Sequence, residues 1–173
     1  MARRAELAAE RLLADHGIIS PPVDPEKLAL AAGIMVIRRR FEDADVSGIL
    51  FRDSSHYVIG VNSAHPLVRQ RFTIAHELGH HALHPGRELI LDVPVRVNLR
   101  DKTSSTASDI EEIEANAFAA ALLMPAYLIR EQVNQLPPAR RREPDTAAAA
   151  LARIFKVSTS ALNFRLINLG LTS

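Results

Sequence analysis

Residues 76–80 read His-Glu-Leu-Gly-His, two imidazoles four positions apart with a carboxylate directly after the first. On an α-helix four residues advance 400°, so the rings of His76 and His80 fall about 40° apart on one face, one turn above the other. Two imidazoles placed this way can share one metal ion. Glu77 lies about 100° round from His76. That is outside the ligand pair but within reach of a water activated by the ion, which is where a general base must be. Residue frequencies alone would produce the pattern roughly 0.02 times in a chain of this composition. The bland alternative is a polar helix face whose histidines hydrogen-bond locally. A motif on a helix directly after a strand favours the metal.

The chain has no cysteine, so a third ligand must come from histidine or a carboxylate. His84 is eight positions after His76, which on a continuous helix is about 12 Å along the axis and about 80° round. One ion cannot be reached by both. Ala82 and Leu83 also occupy the region where a glycine turn would be needed to bring a later histidine back. A carboxylate is therefore expected, from a helix that begins at Ser108 or Asp109. There Glu111, Glu112 and Glu114 precede the apolar stripe Ala117, Phe118, Ala121 and Leu122. Glu114 stands three and four positions before Ala117 and Phe118 and so on the buried side; Glu111 is on a similar face one turn earlier, and Glu112 points away. A carboxylate beside a packing face is costly unless paired or metal-bound. Glu114 is the expected ligand and Glu111 the reserve. The competing explanation is that all three acids simply favour the positive end of the helix.

These residues need a scaffold. An amphipathic helix fills the first sixteen positions. Asp24 and Pro25 then open a short helix that stops at Gly33, an N-cap followed by proline at the first helical position. Three β-like runs follow at 34–41, 46–52 and 56–62, separated by polar tips as in a meander. In the third, Tyr57, Ile59 and Val61 alternate with Val58, Gly60 and Asn62, so one face can pack on a helix. Its open edge could hold substrate backbone by strand addition. Helical periodicity runs from Pro66 to about Leu83. The segment 85–101 could form a strand, but Pro94 confines it to an edge or a loop. Beyond the glutamate-bearing helix, Pro125 marks a stop or kink, a further helix follows, and PPARRREP is the best linker candidate. The order is α+β: a zincin-like domain over 1–136 with a small, mainly antiparallel sheet, a linker at 137–144, and a two-helix segment at 145–173.

With Lys+Arg 21 against Asp+Glu 20 the net charge is +1, which lacks the footprint of a protein built mainly to hold nucleic acid. The start has no continuous apolar core of a secretory signal, and no run approaches membrane-spanning length. A cytoplasmic protein is expected. The two-helix segment is helix-turn-helix-like, with Lys156 at the turn where glycine is common. Only Lys156 and Arg165 lie within or beside its second helix, so a packed subdomain or a surface for a protein target is expected, with DNA contact as the alternative. Tyr57, His56, His84 and Arg71 are possible carbonyl-polarising groups, none assigned.

Together RFTIAHELGHHALH (71–84) and EIEANAFAAALLMP (112–125) resemble the paired motifs of the ImmA/IrrE family of zinc metallopeptidases. The resemblance covers most of the chain, and residues 151–171 resemble the helical tail such proteins often carry. It implies a minimal zincin fold with a gluzincin-like site: zinc on His76, His80 and a glutamate from the second motif, at Glu114, with Glu77 as base. It further implies a cytoplasmic endopeptidase whose usual target is a helix-turn-helix repressor. A non-proteolytic regulator that binds a repressor or DNA is the alternative function.

Overall fold

The computed structural model describes residues 2–52, 56–85, 89–92, 105–137 and 144–171. Helix α1 (Ala2–Asp15) leads to α2 (Pro25–Ala31), where the Asp24 side chain accepts hydrogen bonds from the amides of Glu26 and Lys27. Strands β1 (Ile34–Arg39), β2 (Gly48–Arg52) and β3 (Tyr57–Asn62) precede the long helix α3 (Leu67–Leu83). Strand β4 (Leu89–Asp92), helices α4 (Ser105–Leu123) and α5 (Ala126–Gln135), and the pair α6 (Pro144–Phe155) and α7 (Thr159–Asn168) complete the chain. The fold is α+β, as expected. The expected linker at 137–144 falls, apart from its two end residues, outside the described residues.

The sheet order is β1-β3-β2-β4. It is not the meander read from the sequence. Strands β2 and β3 form an antiparallel hairpin with Leu50 opposite Ile59, but β1 runs parallel to β3, with Ile34 opposite Tyr57. Residues 40–47 therefore cross from one side of β3 to the other. Asn62, fully buried at the end of β3, holds this crossing: its amide donates to the Val46 carbonyl at 3.0 Å, and its oxygen accepts from the Ala64 amide at 3.0 Å. A side-chain amide that satisfies loop backbone in this way replaces the ladder bonds a direct β1–β2 hairpin would have made. Pairing on both sides makes β3 an interior strand without a free edge, so the strand-addition role expected for it is not open to it. The margins of the sheet are β1 and β4, and β4 falls in the segment that Pro94 confined to an edge or a loop.

Alternation along β3 buries Ile59 and Val61 against the helices. The core continues through Ile74, Ala75 and Leu78 of α3 and Phe118, Leu122 and Leu123 of α4. The same cluster includes Leu151 and Phe155 of α6 and Leu162 and Leu166 of α7. The two-helix segment thus packs into the common core. The turn between its helices places Lys156 in the left-handed region at φ 53°, and the Val157 amide bonds back to the Ala152 carbonyl at 3.0 Å. This is how a helix ends when its closing residue turns left-handed, here with lysine in the place glycine usually takes. Arg165, considered above as a possible DNA-facing residue, is buried: its Nε donates to the Met124 carbonyl at 3.0 Å and its guanidinium pairs with Glu6. Among the described residues no single helix is long and apolar enough to cross a membrane.

Candidate metal centre

Helix α3 carries His76, Glu77 and His80 on the side covered by β2 and α4, and all three are buried. Its C-terminus is held by the sheet. Arg52, at the end of β2, donates from Nη2 to the His80 carbonyl at 3.0 Å and from Nη1 to the His84 carbonyl at 2.9 Å. Carbonyls of a last helical turn have no partners within the helix, and a cation among them satisfies both their lone pairs and the helix dipole.

Two glycines set the approach distances. A Cβ at Gly48 of β2 would lie 2.3 Å from Thr73 Cγ2 and 2.8 Å from Glu77 Oε1. The bare backbone of β2 is what lets the Glu77 carboxylate lie against it. A Cβ at Gly79, inside the motif, would lie 3.1 Å from Ala115 Cα and 3.2 Å from Phe118 Cβ. Gly79 therefore lets α4 come close enough for its acids to face the histidines.

The Nε2 atoms of His76 and His80 converge to 3.0 Å. Glu112 faces both, with Oε2 3.2 Å from His76 Nε2 and Oε1 3.2 Å from His80 Nε2. His76, His80 and Glu112 are the group among the described residues that could hold a metal ion. Burial works against ionisation of Glu112, yet with the imidazoles protonated, hydrogen bonds from His76 and His80 and their charge outweigh it and hold its carboxyl down at about 2. Asn116, one turn beyond Glu112 on α4, accepts from His76 Nδ1 at 3.2 Å. That bond places the ring proton on Nδ1 and leaves the Nε2 lone pair directed at Glu112 and His80, the tautomer a metal-binding histidine needs. Two imidazole nitrogens and a carboxylate converging on one point fit a divalent cation, and without cysteine they suit zinc.

The acid that the structure brings to the histidines is thus Glu112, where the sequence pointed to Glu114. Glu114 is buried, as its place before the apolar stripe implied, but its partners are different: Oε2 lies 3.8 Å from His84 Nε2 and 3.6 Å from Arg4 Nη1. Residues 112 and 114 differ by 200° around the helix. The buried side of α4 faces α1 and the end of α3, while the convergence point lies at its half-exposed flank. Glu111, the reserve, lies by His84. The sequence did hold a signal for the face that meets the histidines: Glu112 and Asn116 repeat the four-residue spacing of His76 and His80.

Of the groups considered for carbonyl polarisation, Tyr57 stands edge-on to His81 with ring centroids 4.8 Å apart. His84 faces Glu114, and burial lowers its pKa. Arg71 is committed to structure, donating to the Val23 and Lys156 carbonyls. His56 is exposed.

A mixed sheet covering a helix with two histidines and a glutamate, and a second helix bringing an acid to them, define a small helix-and-sheet domain with a candidate metal centre. The chain belongs to the IrrE N-terminal-like family of the M78 peptidases, whose model matches residues 29–167. It is 35% identical over 114 residues to the radiation response metalloprotease IrrE of Deinococcus radiodurans and 40% identical over 112 residues to that of Deinococcus deserti. These matches cover 66% and 64% of this chain but only 32% and 36% of the relatives, so the chain spans about a third of their length. An uncharacterized immunity region protein 2 of Bacillus phage phi105 is 29% identical over 113 residues, 64% of this chain and 65% of its own length. A Mycobacterium tuberculosis transcriptional regulator shares the fold at TM-score 0.62 and 20% identity, covering 95% of this chain and 46% of that one.

Proposed function

We propose that this chain is a zinc-dependent endopeptidase. The observation that carries the reading is the convergence of His76 Nε2, His80 Nε2 and both Glu112 oxygens on one point beside a buried Glu77. His76, His80 and Glu112 would hold the ion, and Asn116 fixes His76 in the ligating tautomer. Glu114, the ligand expected from sequence, instead braces His84 and Arg4. When bound, zinc supplies a polarising charge for the peptide carbonyl and makes a water acidic enough to lose its proton near neutral pH. Glu77 would accept a proton from the water that attacks the peptide carbonyl and would return it to the leaving amine. The bare backbone of Gly48 leaves the room that this carboxylate occupies. A purely structural site would have no use for an acid between the ligands.

The substrate in this reading is a protein presenting an extended segment, laid along an outer strand of the sheet rather than along β3. A helix-turn-helix repressor is the proposed target. The immunity-region name of the phage relative and the ImmA/IrrE resemblance both favour it. Burial of Arg165 weighs against a direct DNA-reading role for α7. The chain acts in the cytoplasm in this proposal, where such a repressor resides.

Glu77→Gln separates the readings. It should retain zinc and the melting temperature of the parent and lose at least about a hundredfold in turnover on a repressor encoded beside the gene. Unchanged cleavage would overturn the proteolytic reading. Relief of repression by an uncleaving Glu77→Gln variant would instead establish a regulator that works by binding.

A further inference from the structure

Beside the candidate metal centre lies a second cavity, of about 440 Å³, between the first turns of α3 and helix α7. Val68 and Phe72 form one wall, Ala161 and Phe164 the other, and Val157 the floor. The one charged lining residue is Arg69, whose guanidinium is tied to Ser47 Oγ at 2.7 Å. Phe164 is 67% exposed and Val68 36% exposed, whereas Phe118 and Phe155 are completely buried.

Phe72 is the lining residue that connects the cavity to the metal centre. Phe72 sits one helical turn before His76, and their ring centroids are 6.4 Å apart. Residues along an extended peptide advance about 3.3 Å each with side chains on alternate faces. A side chain in this cavity would therefore belong to a residue one or two positions from a bond held at His76 and His80. Its far wall is rigid. Leu162, Arg165 and Leu166 of α7 are buried, and the Arg165 bond to the Met124 carbonyl anchors the helix while Phe164 projects outward.

We propose that this cavity is a specificity subsite, in which a large aliphatic or aromatic side chain close to the scissile bond of an extended protein substrate is held between Phe72 and Phe164. The proposal rests on the peptidase reading above and assigns α7 a part in choosing the substrate. A preformed apolar slot beside a reaction centre discriminates by burial, so filling it with a leucine or phenylalanine side chain rather than none is worth about ten- to a hundredfold in binding.

The test uses the zinc-loaded full chain and a random-sequence peptide library. Cleavage products of the parent should show large apolar residues enriched at a single position next to, or one removed from, the cut. Phe164→Asp should reduce that enrichment about tenfold or more, and Phe164→Ala should reduce it in the same direction without adding charge. Ile167→Asp, exposed on α7 but outside the cavity, should keep it. Melting temperature and zinc content verify that each variant is folded. Enrichment that survives both Phe164 changes, or a preference for small or charged residues, overturns the subsite. Retention of the same library on immobilised Glu77→Gln, with and without Phe164→Asp, separates the two readings. Apolar enrichment lost on the Phe164 change, with no cleavage by the parent, leaves the subsite standing and removes the peptidase. No apolar enrichment on the column removes the subsite whatever the parent cleaves.

Discussion

Asn116 decides which nitrogen of His76 is free, and through it the acid that faces the histidines becomes identifiable. Glu112 and Asn116 act together from one face of α4, the first opposite the imidazole lone pairs and the second behind one ring. This division of work leads to contrasting outcomes for two neighbouring acids. Glu112→Ala should lower zinc affinity by several orders of magnitude, measured by competition with a chelator, because a third of the donor set is lost. Glu114→Ala should retain zinc but shift the denaturation midpoint down by about 1 kcal/mol, because His84 and Arg4 lose a buried partner. The convergence of His76 and His80 was legible from spacing alone, since helix periodicity fixes their mutual angle whatever surrounds them. The third acid was not. Equating the buried side of α4 with the metal side placed it on Glu114, whereas a site that admits substrate lies at the margin of the core. There the carboxylate is partly exposed, as Glu112 is with 24% of its side chain accessible.

At the scale of elements, the two close approaches to α3 depend on absent side chains. Gly79→Ala puts a methyl 3.1 Å from the backbone of Ala115, which has no rotamer to change, so α4 must move. The expected cost is about 1–3 kcal/mol in chemical denaturation, with zinc affinity reduced in parallel because Glu112 moves with α4. Stability lost without any change in zinc affinity would show that the helices part elsewhere. The helices themselves were readable: the Asp24 cap and the α3 span are both written in local sequence. Sheet order was not readable, because each strand has the same pattern whichever neighbour it takes. The deciding contacts come from the Asn62 side chain to backbone fifteen or more positions away.

For the whole molecule, the two-helix segment beyond PPARRREP packs into the same hydrophobic core as the helices before it. Arg165 is the pin: it is buried, with one bond to the end of α4 and one to α1. Arg165→Ala strands Glu6 and the Met124 carbonyl and should cost about 2–3 kcal/mol by thermal or chemical denaturation, with Glu6 partly open to solvent and so at the lower end for a buried pair. An unchanged midpoint would mean that α7 contributes little to the core. The bridge made by Arg71 carries a consequence for biosynthesis. Residues 23, 71 and 156, remote in sequence, meet at one guanidinium at the head of the helix that bears the histidines. Residue 156 is made well after the histidines, so this contact at the head of α3 forms only once the end of α6 is in place, whereas the contacts of α3 with β2 and α4 need nothing beyond residue 123. The head of the histidine-bearing helix is therefore the part of its surroundings completed last, after its other end is already held.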